Sequence, residues 1–529
     1  MYGGLANAWD YGPYGVQLKK NIQDLWRKTF VQKRQDVVGL DSQILMHPKV
    51  WETSGHTDNF NDPLIDDKKT GERFRADKLI EEAIENLKSN IRNTNIVKQL
   101  TELFDKAQIA KADIEENLNL LEEAEKKEKD YNIINLIQEQ KEKSEEIILK
   151  GIDIEKNDNP EKVVNELALK YIASILNINN LIPESRSFDL MKEFIVKFIP
   201  NNPNTKKPAE RTDVRKFQMM FYTYQGVTHT EDDKIWMRPE TAQGIFVNFK
   251  NVLDTTRVRV PFGIAQIGKA FRNEITPGNF LYRTREFEQM EIEYFVPADL
   301  TIGKEFLEQR KQQSMTRWQD IIGFKSENLH FREHEEDELS HYSAGTFDVE
   351  YQYPRGWGEL QGIAYRTDFD LSRHQEASRT KMLYNDPFTG ERYVPHVIEP
   401  SFGLSRTVLA AMFDAYDEED LGDGDVRTVL RFDPKIAPVS FAIFPLIKKD
   451  EDQVRIAEEI FADLSQDYVC EYDDGGAIGK RYRRQDEIGT PYCITVDHDS
   501  VDDGTVTIRH RDSMEQERVK IETLRNFMK

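Results

Sequence analysis

Residues 262–295 are FGIAQIGKAFRNEITPGNFLYRTREFEQMEIEYF, and this stretch decides the fold. Two runs of strand-like composition flank a short loop in which a Pro-Gly pair marks a turn, so the pattern predicts an antiparallel hairpin. Because side chains alternate between the two faces of a strand, we expect Arg283, Phe287 and Glu291 to share one face of the returning strand.

The charged residues of this hairpin stand among apolar ones. On the outgoing strand we expect Arg272 and Glu274 to share a face. A solvated sheet face is the ordinary interpretation of such charges, but neighbours such as Phe271 and Phe295 indicate a sheet deep in its domain. Buried charges are costly unless they have partners or ligands. A site that binds a polyanion and an ammonium group together would supply those ligands.

A second stretch, VIEPSFGLSRTVLAAMF at residues 397–413, combines a strand, a glycine and a helix. The strand carries Glu399 and Ser401 and passes through Gly403 into a helix that holds Arg406 near its start. Glycine lets the backbone approach a ligand closely, and an arginine at that place can clamp phosphate through two hydrogen bonds. Such junctions are common, so this stretch decides nothing by itself.

Composition limits the class of protein. A chain of 529 residues is too long for one hydrophobic core, which predicts two or three domains. No run approaches the ~20 apolar residues of a spanning helix, and no secretory signal precedes the first helix, so we expect a cytoplasmic protein with no membrane role. A net charge of −23 argues against nucleic-acid binding, although a long acidic insertion can mask a local basic groove.

The order of patterns predicts an α+β protein. A mainly antiparallel domain is expected at residues 1–79 and 216–433, split by a helical, acidic insertion at residues 80–215 and followed by a small α/β domain at residues 434–529. Mixed-sign runs in the insertion, such as EEAEKKEKD, are typical of solvated helices.

Together these stretches resemble the three signatures of class II aminoacyl-tRNA synthetases. A long helix and a strand that ends in proline match residues 15–48, Phe-Arg-x-Glu matches residues 271–274, and Gly-x-x-Arg entering a helix matches residues 403–406. Wording such as YGGLANAWDYGP, WETSGHTDNFNDP, RPETAQGIF and GELQGIAYRTDFDL resembles the dimeric glycyl-tRNA synthetases over most of residues 1–80 and 215–529.

This resemblance implies a class II catalytic domain, an antiparallel sheet flanked by helices, followed by a C-terminal anticodon-binding domain. It also implies that glycine attacks the α-phosphate of ATP and then passes to the 3′ end of tRNA(Gly), with Mg²⁺ as cofactor and a homodimer as the working state. Neither step needs a covalent enzyme intermediate, so positioning and charge stabilisation dominate.

The resemblance assigns the ATP contacts residue by residue. Arg272 would hold the α-phosphate, Glu274 the adenine amino group, and Phe287 would stack under the adenine ring. Arg283 and Arg406 would grip the γ-phosphate, and the expected catalytic residues are Arg272, Glu274 and Arg406. The rest of the implied ATP-binding set is Asn273, Tyr282, Thr284, Arg285, Glu286, Glu359, Leu360, Gly403, Leu404 and Ser405.

Glycine offers no side chain to grip, so its pocket must hold an ammonium and a carboxylate and exclude a methyl group. By the resemblance, Glu240, Glu291 and Glu399 bind glycine with Ser401 beside them, and Arg75 takes the substrate carboxylate. The implied set is completed by Phe287, Gln289, Met290 and Gly403.

Two metals are considered. Glu359 is the expected Mg²⁺ ligand, because Mg²⁺ suits a carboxylate together with phosphate oxygens. Many bacterial relatives carry paired cysteines just before the position of Arg75, but IDDKKTGERFRADK has none, so no zinc site is expected there.

The C-terminal stretches GAIGKRYRR (residues 476–484) and TIRHR (residues 507–511) concentrate cations and an aromatic ring. Arginine and aromatic stacking are typical of surfaces that bind unstacked RNA bases. A basic helix face that balances nearby aspartates explains the pattern nearly as well, and both interpretations stay open.

Other members of the class fit less well. A threonyl enzyme would need a Cys/His zinc set in the catalytic domain, a seryl enzyme would lack the C-terminal domain, and a prolyl pocket would need apolar width where Glu291 and Glu399 stand. A non-catalytic relative that only binds nucleic acid would be expected to lose the phosphate-binding arginines, yet Arg272, Arg283 and Arg406 are present.

Overall fold

The computed structural model describes residues 4–5, 7–90, 199–334 and 343–528, with short pieces at 188–189, 191–192 and 195–196. The predicted insertion therefore lies largely outside the described residues. The chain forms two compact units, which are described separately. The first consists of Met1–Thr57, Met220–Arg272 and Pro277–Lys529, and the second of Asp58–Met219 and Asn273–Thr276.

The described strands are β1 (Val37–Gly39), β2 (Asn61–Asp66), β3 (Arg73–Arg75), β4 (Arg215–Gln218), β5 (Tyr222–Tyr224), β6 (Lys234–Trp236), β7 (Phe262–Phe271), β8 (Glu286–Val296), β9 (Leu329–Glu333), β10 (Thr346–Tyr353), β11 (Gly356–Thr367), β12 (Tyr384–Asn385), β13 (Arg392–Tyr393), β14 (His396–Gly403), β15 (Tyr416–Asp420), β16 (Val426–Leu430), β17 (Phe441–Pro445), β18 (Cys470–Tyr472), β19 (Tyr492–Val496), β20 (Thr505–His510) and β21 (Gln516–Lys520). The longest of the described strands, β7, β8 and β11, belong to the first unit.

The described α-helices are α1 (Pro13–Arg27), α2 (Lys49–Thr53), α3 (His56–Asn59), α4 (Ala76–Asn90), α5 (Ala242–Thr255), α6 (Leu300–Arg317), α7 (Phe369–Ser378), α8 (Leu404–Ala415), α9 (Glu451–Leu464), α10 (Ile478–Ile488) and α11 (His498–Asp503). None of the helices described is long and apolar enough to cross a membrane.

The first unit is built on a seven-stranded sheet in the order β1-β7-β8-β14-β11-β10-β9. All neighbours run antiparallel except β1, which pairs parallel with β7. Strand β8 alternates two kinds of residue: Met290, Ile292 and Tyr294 belong to the core that also contains Ile22 and Trp26 of α1. An antiparallel sheet flanked by helices is the predicted fold, which is thereby confirmed.

The opposite face of the sheet is covered by α5 and α7. Phe249 of α5 packs with its ring tilted against that of Phe295 on β8, at 4.6 Å between centroids, and both rings are fully buried. This apolar contact closes one end of the face. Further along β8 on the same face lie Gln289, Glu291 and Glu293, which are polar and also buried. The sheet therefore presents a buried polar surface beside an apolar one.

The connection between β7 and β8 differs from the predicted hairpin. Strand β8 begins at Glu286, so Phe287 and Glu291 share a face as predicted, but the expectation that Arg283 lies on the same strand is wrong. Arg283 pairs instead with Gly278 across a tighter loop, in which Asn279 adopts a left-handed φ of 57°. The chain folds back on itself before the strand begins, and this frees Arg283 from the strand register.

The C-terminal part of the first unit is a five-stranded sheet in the order β18-β17-β19-β20-β21, with α9 and α10 packed on it. It is joined to the ribbon β15–β16 by buried charge. Arg427 of β16 is fully buried and donates to Asp486 of α10 at 3.0 Å, and Arg509 of β20 donates to the same carboxylate at 2.8 and 3.0 Å.

The second unit contains the three-stranded sheet β3-β2-β4. Its β2–β3 turn, where cysteines were considered above, is held by Asn202. The amide of Asn202 donates to Asp67 at 2.7 Å and to Glu72 at 2.6 Å. The hydrogen bond from Asn202, with those from the backbone N–H groups of Glu210 and Lys69, lowers the pKa of Asp67 to about 2. An amide at the centre of two carboxylates thus fixes the turn.

We predict that Gly303→Ala destabilises the first unit. Gly303 lies on α6, and a Cβ there would meet the hydroxyl oxygen of the fully buried Tyr365 at 2.1 Å. Overpacking of this kind costs about 1–3 kcal/mol, so the urea unfolding midpoint should fall. Gly479→Ala is the matched helical control, because a Cβ at Gly479 meets nothing within 4 Å and should raise the midpoint slightly. Equal midpoints for the two variants would contradict the packing at Gly303.

Candidate active site

Three glutamates lie together on the polar face of β8 and β14. Glu291 is paired across the sheet with Gln266 of β7 and Ser401 of β14. Carboxylate oxygens of Glu291, Glu293 and Glu399 all lie within 4.8 Å of one another, and the three side chains are buried. The antiparallel register alone brings residues more than a hundred positions apart into one acidic cluster.

Arg366 of β11 is the cation that partners this cluster. Its Nη1 donates to Glu399 Oε2 at 2.9 Å, and its Nε and Nη2 donate to Asp370 of α7 at 2.8 and 3.1 Å. The guanidinium carbon also lies 5.4 Å from the ring centroid of Phe246. A buried arginine with two carboxylate partners is held in one orientation.

Glu240, just ahead of α5, faces the same site. Its carboxylate lies 3.3 Å from His56 Nε2 and accepts a hydrogen bond from Gln243 at 3.1 Å. Burial acts to raise the pKa of Glu240, but His56 and Arg366 outweigh it and hold the pKa below the usual value. The Nδ1 atom of His56 is hydrogen-bonded to Ser54 Oγ at 2.7 Å, and this contact orients the imidazole ring.

The pKa values of Glu399 and Glu291, the other two carboxylates proposed for glycine, are raised. Burial raises the pKa of Glu399 to about 8, although Arg366 offsets part of the rise. Burial and the charge of Glu240 raise the pKa of Glu291, against a hydrogen bond from the Thr241 hydroxyl. Without a ligand Glu399 therefore holds its proton at neutral pH, and an added positive charge would displace it.

A second polar region lies at the end of β14. Arg406, on the first turn of α8, pairs with Glu359 at 2.9 Å and donates to the carbonyl oxygen of Tyr282 at 3.2 Å. The Arg406 guanidinium holds the pKa of Glu359 below its usual value. A shift in the register of β10 against β11 between Val349 and Glu350 lies beside Glu359, and bulges of this kind re-aim side chains near binding sites.

Arg272 follows the last residue of β7. Its backbone N–H donates to Arg285 O at 2.9 Å, and its Nε donates to Pro239 O at 3.0 Å. The guanidinium carbon of Arg272 lies 5.3 Å from the ring centroid of Phe287. The structure thus brings an arginine and an aromatic ring of the predicted ATP-binding set together.

A cleft of about 540 Å³ borders this region. Arg272 and Arg406 are not part of its lining, so the cleft adjoins the arginines and does not enclose them. The members of the predicted ATP-binding set that line it are Thr284, Arg285, Glu286, Phe287 and Ser405.

Three predicted contact residues have buried apolar side chains. Leu360, Leu404 and Met290 all belong to the core on the α1 side of the sheet. They can offer only backbone groups to a ligand on the polar face. Gly403, the last residue of β14, is paired with Gln289, whose amide donates to Ser401 at 3.3 Å.

Three other predicted residues belong to the second unit. Arg75 pairs there with Asp62 at 3.1 Å and with Asp77 at 2.5 Å. Asn273 donates its backbone N–H to Met219 O at 2.7 Å. Glu274 lies in the same unit and acts on the pKa of Arg75, with the sign expected of a nearby carboxylate.

The C-terminal arginines have partners inside their domain. Arg481 is 3% exposed and donates to Pro445 O at 2.7 Å, and Arg511 is 2% exposed and donates to Phe432 O at 2.7 Å. Arg509 is bound to Asp486, as described above. These three cations are therefore structural, which favours charge balance over RNA contact at their positions.

The sequence pattern did not single out Glu293, Arg366 or Asp370. Glu293 follows Glu291 by two residues in MEIEYF, so the two-residue period of a strand could have placed both side chains on one face. Arg366 and Asp370 stand in the quoted wording GELQGIAYRTDFDL, but their pairing depends on the turn from β11 into α7.

A mainly antiparallel sheet flanked by helices, with Arg272 and Arg406 at the ends of β7 and β14, defines a class II aminoacyl-tRNA synthetase. Family models match residues 440–529 as "Anticodon binding domain" and residues 62–157 as "Glycyl-tRNA synthetase insertion domain 1". The second match begins ahead of residue 80, where the charge pattern places the insertion.

Two relatives cover the whole chain. The glycine–tRNA ligase of Lysinibacillus sphaericus is 45% identical over 100% of this chain and 94% of its own length, and that of Acetivibrio thermocellus is 46% identical over 100% and 93%. A solved prolyl-tRNA synthetase of Cryptosporidium parvum is 18% identical over 58% of this chain and 63% of its own, with a TM-score of 0.44. The chain belongs to the glycine–tRNA ligase family.

We predict that Arg366→Met lowers the free energy of unfolding by about 3–5 kcal/mol, because it leaves Asp370 and Glu399 buried without their cation. Urea unfolding followed by circular dichroism measures the change. Arg455→Met is the matched control, since Arg455 is 56% exposed and solvent screens its pairs with Glu459 and Asp452, so this variant should unfold at nearly the wild-type urea concentration. Similar losses in both variants would contradict the role given to Arg366.

Proposed function

We propose that this chain activates glycine with ATP, forms glycyl-adenylate and pyrophosphate, and transfers glycine to the 3′ end of tRNA(Gly). The observation that carries the proposal is that Glu291 and Glu399 belong to the buried acidic cluster, with Glu240 beside them. A pocket lined by carboxylates suits a small ammonium ion and leaves no apolar surface for a substrate side chain. The full-length likeness to glycine–tRNA ligases supports the same conclusion.

Glycine recognition falls to the acidic cluster. Glu291 and Glu399 would receive the ammonium group, Glu240 would add its negative charge, and Ser401 lies beside Glu291 in the register. A bound ammonium lowers the pKa of neighbouring carboxylates, so it would favour the ionised form of Glu399. Arg75 is proposed for the substrate carboxylate on the family resemblance.

ATP would be held by positioned cations. Arg272 with Phe287 would take the α-phosphate and the adenine ring, and Arg406 with Arg283 the γ-phosphate. Such groups act by charge stabilisation of the pentacovalent phosphorus and the leaving pyrophosphate, with no covalent step. Glu274 is proposed for the adenine amino group.

Glu359 is the proposed Mg²⁺ ligand. Its carboxylate is partly exposed, and its lowered pKa keeps it ionised, as a hard oxygen ligand must be. Asp348 is a second carboxylate nearby: burial and then the charge of Glu359 raise its pKa to about 6. A bound Mg²⁺ would supply positive charge against the pyrophosphate oxygens. The homodimer and the cytoplasmic location implied by the resemblance are proposed with it.

ATP–pyrophosphate exchange tests the proposed activity. We expect glycine-dependent exchange by the purified chain, with kcat/KM for alanine lower by more than the about 200-fold that one methyl group gives in an apolar pocket, because a methyl group would press against charged groups. Proline, serine and threonine should support none. Exchange that is absent with glycine, or nearly as fast with alanine, would overturn the proposal.

The KM for glycine should depend on pH. The pKa of Glu399 lies above its usual value, so the stabilisation that its protonated form gives the free protein is complete at low pH and is lost as the pH rises through about 8. Glycine binding favours the ionised form, so KM should fall with rising pH, by up to about tenfold per unit for one released proton, and level off above about pH 8. The KM for ATP serves as the control and should stay flat above about pH 7, where Asp348 is ionised. A glycine KM that is flat over the same range would exclude a protonated Glu399.

A further inference from the structure

One buried acid of the site is unused by the chemistry above. Glu293 lies on β8 between the glycine-binding face and the apolar contact of Phe295, and its side chain is 0% exposed. Neither of its carboxyl oxygens has a hydrogen-bond partner among the described residues. Its neighbour across the ladder on β7 is Ile264, which offers no polar side-chain group.

The surroundings of Glu293 do not suit a negative charge. Its nearest acidic neighbours are Glu399 and Glu291, whose oxygens lie within 4.8 Å of its own. The guanidinium of Arg366 is already committed to Glu399 and Asp370. An ionised Glu293 would therefore be a third buried charge of the same sign around one cation, and such groups neutralise themselves instead.

A protonated carboxyl changes from an acceptor into a hydrogen-bond donor. The terminal torsion of glutamate is soft, so the Glu293 carboxyl can turn toward an oxygen of Glu399 or Glu291. Once a bound ammonium has ionised Glu399, that carboxylate needs a donor on the side away from Arg366. Glu293 lies on β8, across β14 from the strand of Arg366, and the pairs Ile398–Tyr294 and Ser401–Glu291 on either side place it opposite Glu399.

We propose that Glu293 stays protonated throughout the reaction and acts as a positioning residue, donating its acid hydrogen to Glu399 so that this carboxylate is held toward the glycine ammonium. The inference rests on the proposed function and deepens it. It predicts that the proton on Glu293 matters and its negative charge does not. Burial first, and then the charges of Glu399 and Glu291, raise the pKa of Glu293 well above its usual value, which agrees with this role.

Two isosteric variants of the full chain separate the possibilities. E293Q keeps a hydrogen-bond donor and removes the acid, whereas E293L keeps the volume and removes the donor. In ATP–pyrophosphate exchange we expect E293Q to keep the wild-type KM for glycine within about threefold and E293L to raise it by about tenfold or more, because a hydrogen bond to a charged carboxylate is lost. The KM for ATP should be unchanged in both.

The pH profile is a readout that a merely structural role would not move. In E293L the fall of the glycine KM should shift to higher pH, because ionised Glu399 has lost a donor, and in E293Q it should stay in place. The charged groups that act on Glu293 are Glu399, Glu291, Arg366 and Asp370. Behind them lie Glu240, which acts on Glu291, and the titratable groups His56 and His374, which interact with Glu240 and Asp370.

Two results would overturn the inference. If E293Q raises the glycine KM as much as E293L, the negative charge of Glu293 is required and its proton is not. If E293L matches the wild type, Glu293 positions nothing. If E293L does not fold, infrared difference spectroscopy can compare E293Q with the wild type. The glycine-bound wild type should show the carbonyl stretch of a protonated carboxylic acid, and E293Q should lack it. The absence of this band from the wild type would refute the proposal.

The two failures are distinguishable. A wild-type chain without glycine-dependent exchange would sink the proposed function, whereas the infrared band of Glu293 can be measured in the free protein by the same comparison and needs no activity.

Discussion

The buried carboxylates of Glu399 and Asp370 share one guanidinium, that of Arg366, and the rest of the site depends on this interaction. Arg366 reaches Glu399 on its own sheet and Asp370 on the helix that follows its strand. Glu240 lies outside that pair and has His56 as its partner. The site carries more negative charge than these two partners can balance, so it is completed by protons in the free protein and by a cationic ligand when one is bound.

The two faces of β8 explain how such a surface can exist in a stable domain. Met290, Ile292 and Tyr294 point into the core against α1, and this apolar contact holds the strand in register. The register then fixes where Glu291 and Glu293 fall on the opposite face. A slip of one residue would exchange the two sets and bury the core residues under α5, so packing on one side specifies charge geometry on the other.

Sequence patterns predicted what depends on local period and on family wording. The α+β class, the shared strand face of Phe287 and Glu291, and the passage from strand to helix at Gly403 all follow from spacing along the chain. Arg283 could not be placed, because a loop closed by Gly278 interrupts the strand period ahead of β8. Arg366 was also out of reach, because its partners come from α7 and β14 and only the folded sheet joins them.

The arginines of the C-terminal domain also show what a sequence pattern leaves undecided. The sequence of an arginine-rich run is the same whether its side chains face RNA or are buried inside the domain. Burial distinguishes the two cases: Arg481 and Arg511 are buried and donate to backbone carbonyl oxygens. Where a pattern leaves two physical interpretations, as in TIRHR, the three-dimensional partners decide.

The buried link from Arg427 to Asp486 has a consequence for how this protein can be recombined with its relatives. Asp486 lies in the C-terminal domain, but one of its two cations comes from the ribbon β15–β16 that precedes it in the chain. A hybrid made by joining the C-terminal domain of another family member after residue 433 would set a foreign helix against Arg427. The segment that should be exchanged together with the C-terminal domain therefore begins at about Tyr416, where the ribbon β15–β16 starts, and not after residue 433.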